Sequence, residues 1–331
     1  MSNNTLNFFH SSLDAEAPLG AIETPAAIMT WHCQGVLSIE PREPSHLPGV
    51  IISVGVHGDE TVPIRLVDQW LARVAADALP VNRPMLFILA NPAAASRETR
   101  FVDHNMNRLF DPAATAGSAP EALRALELMA QVKAFADRHP DGLHFDLHST
   151  IKPSDKDRFA LVPPACAERT LTNLLRWFQR FAVDAWVQNR SAAATFANYS
   201  ANLGYLSATL ELGQVSAPDE PIDRFLPLLD EFTLLAQGPS TPSGHPTQAF
   251  QVQREIIRPE GAFEVCIEDF VNFRPLTAGT VIARGETEEW TVEEDGDALL
   301  FLNARVPVGH RVALVIRPVQ TGRGSKLEVV D

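Results

Sequence analysis

The sequence predicts an α/β protein: a mostly parallel or mixed sheet covered by helices, with a smaller all-β domain at the C-terminal end. Two observations carry this expectation. Between Gly49 and Gln237, apolar runs of strand length alternate with segments of helical periodicity, as in a sheet whose parallel strands are joined by crossover helices. Beyond Gly238 the helical pattern stops, and short strand-like runs between turn residues take over.

Residues 1–45 are mixed and predict no definite element. GVIISVGVHG (49–58) is continuously apolar up to Gly-His-Gly, which suits a buried strand entering a functional loop. Over 61–79, Leu66, Val67, Trp70, Leu71 and Val74 recur at helical spacing, and Pro63 is tolerated in a first turn. MLFILANP (85–92) predicts a strand ending at Asn91-Pro92. EALRALELMAQVKAFADRH (121–139) consists largely of strong helix formers. A strand GLHFDLHST (142–150), a strand DRFALV (157–162) and a helix RTLTNLLRWFQRFA (169–182) follow. GYLSATLELG (204–213) predicts a strand and PIDRFLPLLDEFTLLAQ (221–237) a helix. GPSTPSGHPT (238–247) has linker composition, so the chain is expected to divide into residues 1–243 and 244–331. AFQVQREII, AFEVCI, TVIARG, EWTVEE, ALLFL and RVALVIRPV make the second part all β, with a turn at Asp295-Gly296.

The chain has 331 residues, 45% hydrophobic and 21% charged, an ordinary globular composition. Its net charge of −14 argues against nucleic-acid or anionic-membrane partners. A small anionic substrate in an arginine-lined pocket stays open. No apolar run approaches the roughly 20 residues that span a bilayer. The N-terminus MSNNTLNFFHSSLDAE lacks the basic start and apolar core of a secretory signal, so a soluble, cytoplasmic protein is expected. Cys33, Cys166 and Cys266 are far apart with no CxxC spacing and read as reduced structural thiols.

His57 and Glu60, three apart where a strand gives way to a helix, can aim nitrogen and oxygen at one cation. By itself this spacing is weak and is better read as a loop histidine and a glutamate favoured in a helix first turn. His148 shifts the balance. Alternation along its strand sets His144, Asp146 and His148 on one face, and a polar face on a buried strand calls for a reason. The carboxyl end of an open α/β sheet supplies one. Two imidazoles and a carboxylate form a catalytic zinc set with a position left for water. His144, deeper in the strand, reads as a hydrogen-bonded core residue; Asp146 is left open between supporting a ligand and a structural role. Glu211, alone in an apolar run, is costly to bury unless paired or used; as general base it completes the constellation. The polar loop 97–110 offers Arg100, Asn107 and Arg108, groups able to grip carboxylates. His104 and Asp103 in that loop read as structural. No GxSxG or other nucleophile motif stands out.

GVHGDE, NPAAASRETRFVDHNMNRLF, DLHST and TLELG together resemble the succinylglutamate desuccinylase/aspartoacylase family of the zinc carboxypeptidase-like superfamily. The resemblance covers about Gly49 to Gly213, and the trailing β-domain fits it too. It implies one Zn²⁺ per chain on His57, Glu60 and His148, with Glu211 as the catalytic acid/base. It further implies Arg100 polarising the scissile carbonyl and Asn107 with Arg108 holding a substrate carboxylate. The implied reaction is hydrolysis of N-succinyl-L-glutamate to succinate and L-glutamate in arginine catabolism. Tyr199, Asn202, Lys156 and Arg158 are candidates for the glutamate moiety. The alternatives are an aspartoacylase-like deacylase of another N-acyl amino acid and a metal-binding protein without turnover.

Overall fold

The computed structural model describes residues 6–14, 20–113, 119–167, 171–191, 193–215, 229–230, 247–321 and 327–329. The helix expected over 221–237 and the linker over 238–247 lie outside these, apart from Leu229, Asp230 and Thr247.

The stretch with no legible pattern forms a short helix, α1 (Phe8–Leu13), and an antiparallel meander of β1 (Gly20–Glu23), β2 (Ala27–Cys33) and β3 (Val36–Pro41). Next come β4 (Val50–Val54), α2 (Thr61–Ala75), β5 (Met85–Leu89), the single turn α3 (Pro92–Ala95), a 3-10 turn at Met106–Arg108 and α4 (Pro120–Arg138). Then follow β6 (Leu143–Thr150), β7 (Arg158–Val162), α5 (Pro164–Ala167), α6 (Leu171–Arg180), β8 (Ala185–Gln188), α7 (Phe196–Asn202) and β9 (Leu206–Gln214). The C-terminal part is all β: β10 (Gln248–Ile257), β11 (Phe263–Val265), β12 (Val281–Gly285), β13 (Glu289–Thr291), β14 (Ala298–Leu300), β15 (Arg311–Thr321) and β16 (Leu327–Val329). Helix α2 stops short of the predicted Leu79 because Asp77 turns to a left-handed φ of 57°.

One 13-stranded sheet runs β1-β2-β3-β5-β4-β6-β9-β7-β8-β10-β15-β14, with β16 on β15. Its centre is parallel: β5, β4, β6 and β9 pair in one direction. β7 enters antiparallel beside β9, so the sheet is mixed. β10 lies parallel to β8 and carries the sheet into the C-terminal strands, while β11, β12 and β13 form a separate antiparallel sheet. Among the described residues, no helix is long and apolar enough to cross a membrane.

Alternation divides the central strands between two layers. Val50, Ile52 and Val54 of β4, Leu143, Phe145 and Leu147 of β6, and Ala208, Leu210 and Leu212 of β9 join the core that includes Leu66, Val67, Trp70 and Leu71 of α2. The opposite face carries Ile51, packed in a cluster with Leu128, Val132 and Phe135 of α4. That face also carries polar residues, all buried: Ser53, His144, Asp146, His148, Ser207 and Glu211. The chain leaves β4 through α2 to β5 on one side, and returns through α4 to β6 on the other. The carboxyl end of β4 is thus the topological switch point, where open α/β sheets leave a crevice for ligands.

Candidate metal centre

The loop leaving β4 is built for close approach. Gly55 adopts a φ of +65°. A Cβ on Gly58 would lie 2.1 Å from the Ala94 carbonyl carbon of α3, so only glycine lets the loop pack there. This seats His57 and Glu60 over the ends of β4 and β6. The turn α3 itself is held by Asn91, whose side-chain oxygen accepts from Ala94 N at 3.1 Å.

Three donors converge in this place. Among the described residues, His57, Glu60 and His148 offer ligand atoms that all lie within 4.8 Å of one another, and all three side chains are buried. Glu60 Oε1 is 2.8 Å from His57 Nδ1, and Glu60 Oε2 is 2.9 Å from His148 Nδ1. Ligand atoms of a tetrahedral zinc stand about 3.3 Å apart, given bond lengths of roughly 2.0–2.1 Å. A small outward shift would therefore accommodate a cation.

The far nitrogens support the same geometry. His57 Nε2 lies 3.1 Å from Asn105 Oδ1, whose orientation is set by the Asn107 N–H it accepts at 3.0 Å. His148 Nε2 lies 3.0 Å from Asp146 Oδ2. Both acceptors are oxygens, so both rings carry their proton on Nε2 when Nδ1 serves as ligand, the usual arrangement around a metal histidine. Residues His57, Glu60 and His148 thus fit a divalent cation.

Electrostatics follow from burial and mutual contact. Burial pushes His57 down. Burial would lower His148 too, but Asp146 and Glu60 on its two sides raise it well above the ordinary imidazole range. Burial would raise Glu60, yet His148 and His57 hold it far below the carboxylate range.

Glu211 differs from these. It sits opposite His148 across β6 and β9, is 6% exposed, and has its Oε2 buried without a hydrogen-bond partner. Burial pushes it up to about 8; Glu60 and Asp146 add to this, while His148 and Arg100 oppose it. A buried carboxylate with an uncommitted oxygen is costly to keep and is a mark of a working site.

The loop after α3 brings up the cations. Arg100 Nη1 lies 3.3 Å from Glu60 Oε1. Asn107 Oδ1 is buried without a partner. Arg108 donates to the Asn107 carbonyl at 2.6 Å. The Arg108 residue is exposed overall, but its guanidinium is crowded. Desolvation, with help from Arg311 and Arg100 and against Glu255, pushes it down to about 10. Two other candidates are engaged elsewhere: the Tyr199 hydroxyl donates to Met129 O at 3.0 Å, and Arg158 Nη1 donates to Phe181 O at 3.2 Å.

Several supporting residues escaped the sequence reading. Asn105, which fixes His57, looked like one polar loop residue among many. Glu121 at the start of α4 accepts N–H groups from Val102, Asp103 and His104 at 2.7, 3.1 and 3.2 Å, and so pins the loop that carries Arg100 and Arg108. Ser53, the one polar residue of β4, was a visible signal: a hydroxyl inside an otherwise apolar central strand.

An α/β sheet with three candidate metal donors at its switch point, and a carboxyl oxygen left unpaired alongside, has the parts of a metal-dependent hydrolase. Residues 46–233 match the Succinylglutamate desuccinylase/Aspartoacylase catalytic domain, and residues 245–319 match the AstE/AspA barrel-sandwich hybrid domain; the chain belongs to this family. It is similar to the succinylglutamate desuccinylase of Vibrio cholerae, 31% identical over 325 residues that cover 95% of each chain. It is also similar to that of Pseudomonas aeruginosa, 33% identical over 88% of this chain and 90% of the relative. The crystal structure of the Vibrio parahaemolyticus succinylglutamate desuccinylase superposes with a TM-score of 0.87 at 28% identity, over 98% of each chain.

Proposed function

We propose that the protein hydrolyses N-succinyl-L-glutamate to succinate and L-glutamate, with Zn²⁺ held by His57 Nδ1, the Glu60 carboxylate and His148 Nδ1. The observation that carries this reading is the juxtaposition of the three-donor cluster with the partnerless Oε2 of Glu211. Similarity to enzymes named for this substrate supports the choice among N-acyl amino acids.

In the reaction, the amide C–N bond breaks as a C–O bond to water forms. When bound, zinc would supply a water acidified to about pKa 7, a Lewis acid for the carbonyl oxygen, and positive charge drawing Glu211 to its ionised form. Glu211 Oε2 takes a proton from the attacking water and returns it to the leaving nitrogen. Arg100, beside Glu60, donates to the carbonyl oxygen as it gains charge. Asn107 and Arg108 hold a carboxylate of the substrate.

The division of the chain at residues 243 and 244 belongs to the same reading and is supported by the separate matches over 46–233 and 245–319. The three free thiols suit a reducing, cytoplasmic setting. The deciding experiment is a hydrolysis panel of N-succinylglutamate, N-acetylglutamate and N-acetylaspartate, with metal analysis on the same sample. Fastest turnover of succinylglutamate by a zinc-loaded protein is expected. Preference for acetylaspartate would move the substrate to the aspartoacylase side; metal without turnover of any member would remove the enzyme reading.

A further inference from the structure

Behind the metal donors, the polar face of β6 continues into a buried string. Ser53 Oγ lies 2.5 Å from Asp146 Oδ1 and 2.8 Å from His144 Nε2. His144 Nδ1 is 2.6 Å from Ser200 Oγ, and Ser200 Oγ is 2.8 Å from Ser207 Oγ. All five residues have zero exposure. They come from β4, β6, α7 and β9, so the string ties the helix above the sheet to the strands beneath the site.

Counting protons gives the string a direction. The single hydroxyl proton of Ser53 goes to Asp146 Oδ1, its 2.5 Å acceptor. Ser53 Oγ must then accept from His144, which places the His144 proton on Nε2. With Nε2 donating in this fully buried ring, Nδ1 accepts from Ser200. Ser207 in turn donates to Ser200. Each bond of the string thus points toward Asp146, with Ala197 O 3.1 Å from Ser200 Oγ and Tyr205 O 3.4 Å from Ser207 Oγ as the longer, competing acceptors, and the second oxygen of Asp146 takes the Nε2–H of His148.

We infer that Ser53, His144 and Ser200 are positioning residues that lock the Asp146 carboxylate, and through it the ring orientation and Nε2–H tautomer of His148, committing His148 Nδ1 to a divalent cation. This rests on the metal-centre reading above. A carboxylate torsion is soft and roughly two-fold; one oxygen held by His148 alone leaves the group free to swing. With Oδ1 fixed by Ser53, the plane of Asp146 is set and the imidazole can take one pose. Partners one step beyond the ligands commonly change metal affinity by about 10–100-fold.

The test is zinc binding to the full chain in competition with a chromophoric chelator. Ser53→Ala and His144→Leu, acting through Asp146, should weaken zinc by about 10-fold, the low end of that range, while circular dichroism stays native. His144→Gln, whose amide can donate to Ser53 and accept from Ser200, should recover most of that loss. A string that serves folding alone would lower Tm and leave the zinc affinity of the folded variants at the wild-type value, which overturns the inference. Long-range ¹H–¹⁵N spectra of zinc-loaded wild-type protein test it independently of how any variant folds: a His148 proton on Nδ1 refutes the assignment. Wild-type protein that binds no zinc would instead sink the metal centre, a distinct failure.

Discussion

His148 and Glu211 stand opposite each other across two parallel strands, β6 and β9, on the same polar face of the sheet. The first is held from both sides, by Glu60 and Asp146. The second leaves an oxygen without any partner. One strand register thus sets a histidine held from both sides beside a carboxyl group with an unpaired oxygen, the contrast on which the proposed roles of ligand and base rest. That difference in satisfaction separates the two roles more clearly than distance alone.

The ligand role of His148 is tested by His148→Ala. Removing one of three donors should cut the metal content from about one zinc per chain to a small fraction, with activity lost in parallel. Elemental analysis of wild type and variant, purified side by side, gives the answer. Full metal content in the variant would take His148 out of the site.

Glu211→Gln keeps the size of the side chain but removes the base. Zinc should stay bound while kcat falls by about 10²–10⁴-fold. Stability supplies a second readout in metal-stripped protein. The Glu211 carboxyl is raised from 4.5 to about 8 in the fold, so its contribution is full below the unfolded pKa and is lost as pH rises toward the folded one. The Tm advantage of Glu211→Gln over wild type should therefore grow between about pH 5 and pH 8. A constant difference across that range would mean that Glu211 is not held protonated by burial.

What was legible in the sequence were features decided locally. Alternation along LHFDLH put His144, Asp146 and His148 on one face, and the structure buries all three there, because strand geometry fixes side-chain direction residue by residue. The helical stripe of Leu66, Val67, Trp70 and Leu71 likewise packs onto β4 and β6. What could not be read depends on partners distant in the chain. Ser53 meets Asp146 across 93 positions, and His57 meets Asn105 across 48. Such contacts follow from strand order, which no local pattern encodes. Strands β1 to β3 were missed because partly buried residues alternate with buried ones along β2, too weak a contrast to stand out. The continuation of the main sheet into β10 and β15 is again a pairing between distant segments.

Glu121 lies outside the proposed chemistry, yet its carboxylate gathers the N–H groups of Val102, Asp103 and His104. Glu121→Ala should loosen the loop that presents Arg100 and Arg108. Because small misplacements of positioning groups can cost on the order of 10²-fold, kcat/KM should drop by about that much with zinc content unchanged. Wild-type kinetics in a folded Glu121→Ala protein would show that the loop keeps its shape without this anchor.

In the proposed reaction, Arg108 is the group expected to tell one end of the substrate from the other. Its guanidinium is influenced by two further cations, Arg311 and Arg100, a local concentration of positive charge on a chain whose net charge is −14. Such a cluster suits a substrate with several carboxylates. N-succinylglutamate differs from N-acetylglutamate by the succinyl carboxylate, and a site built to pair that group is left with an unsatisfied arginine when the acetyl compound binds. Discrimination by a missing polar group can reach about 10⁴-fold, so strong preference for succinyl over acetyl is expected. Arg108→Ala should lower kcat/KM for the succinyl substrate far more than for the acetyl one, narrowing the preference. Arg108→Lys should recover only part of the loss, since an ammonium cannot reproduce the two-pronged contact of a guanidinium. Equal losses for both substrates would instead place Arg108 on the α-carboxylate that they share, and the succinyl end would then have to be held by another cation, with Arg311 the first to replace.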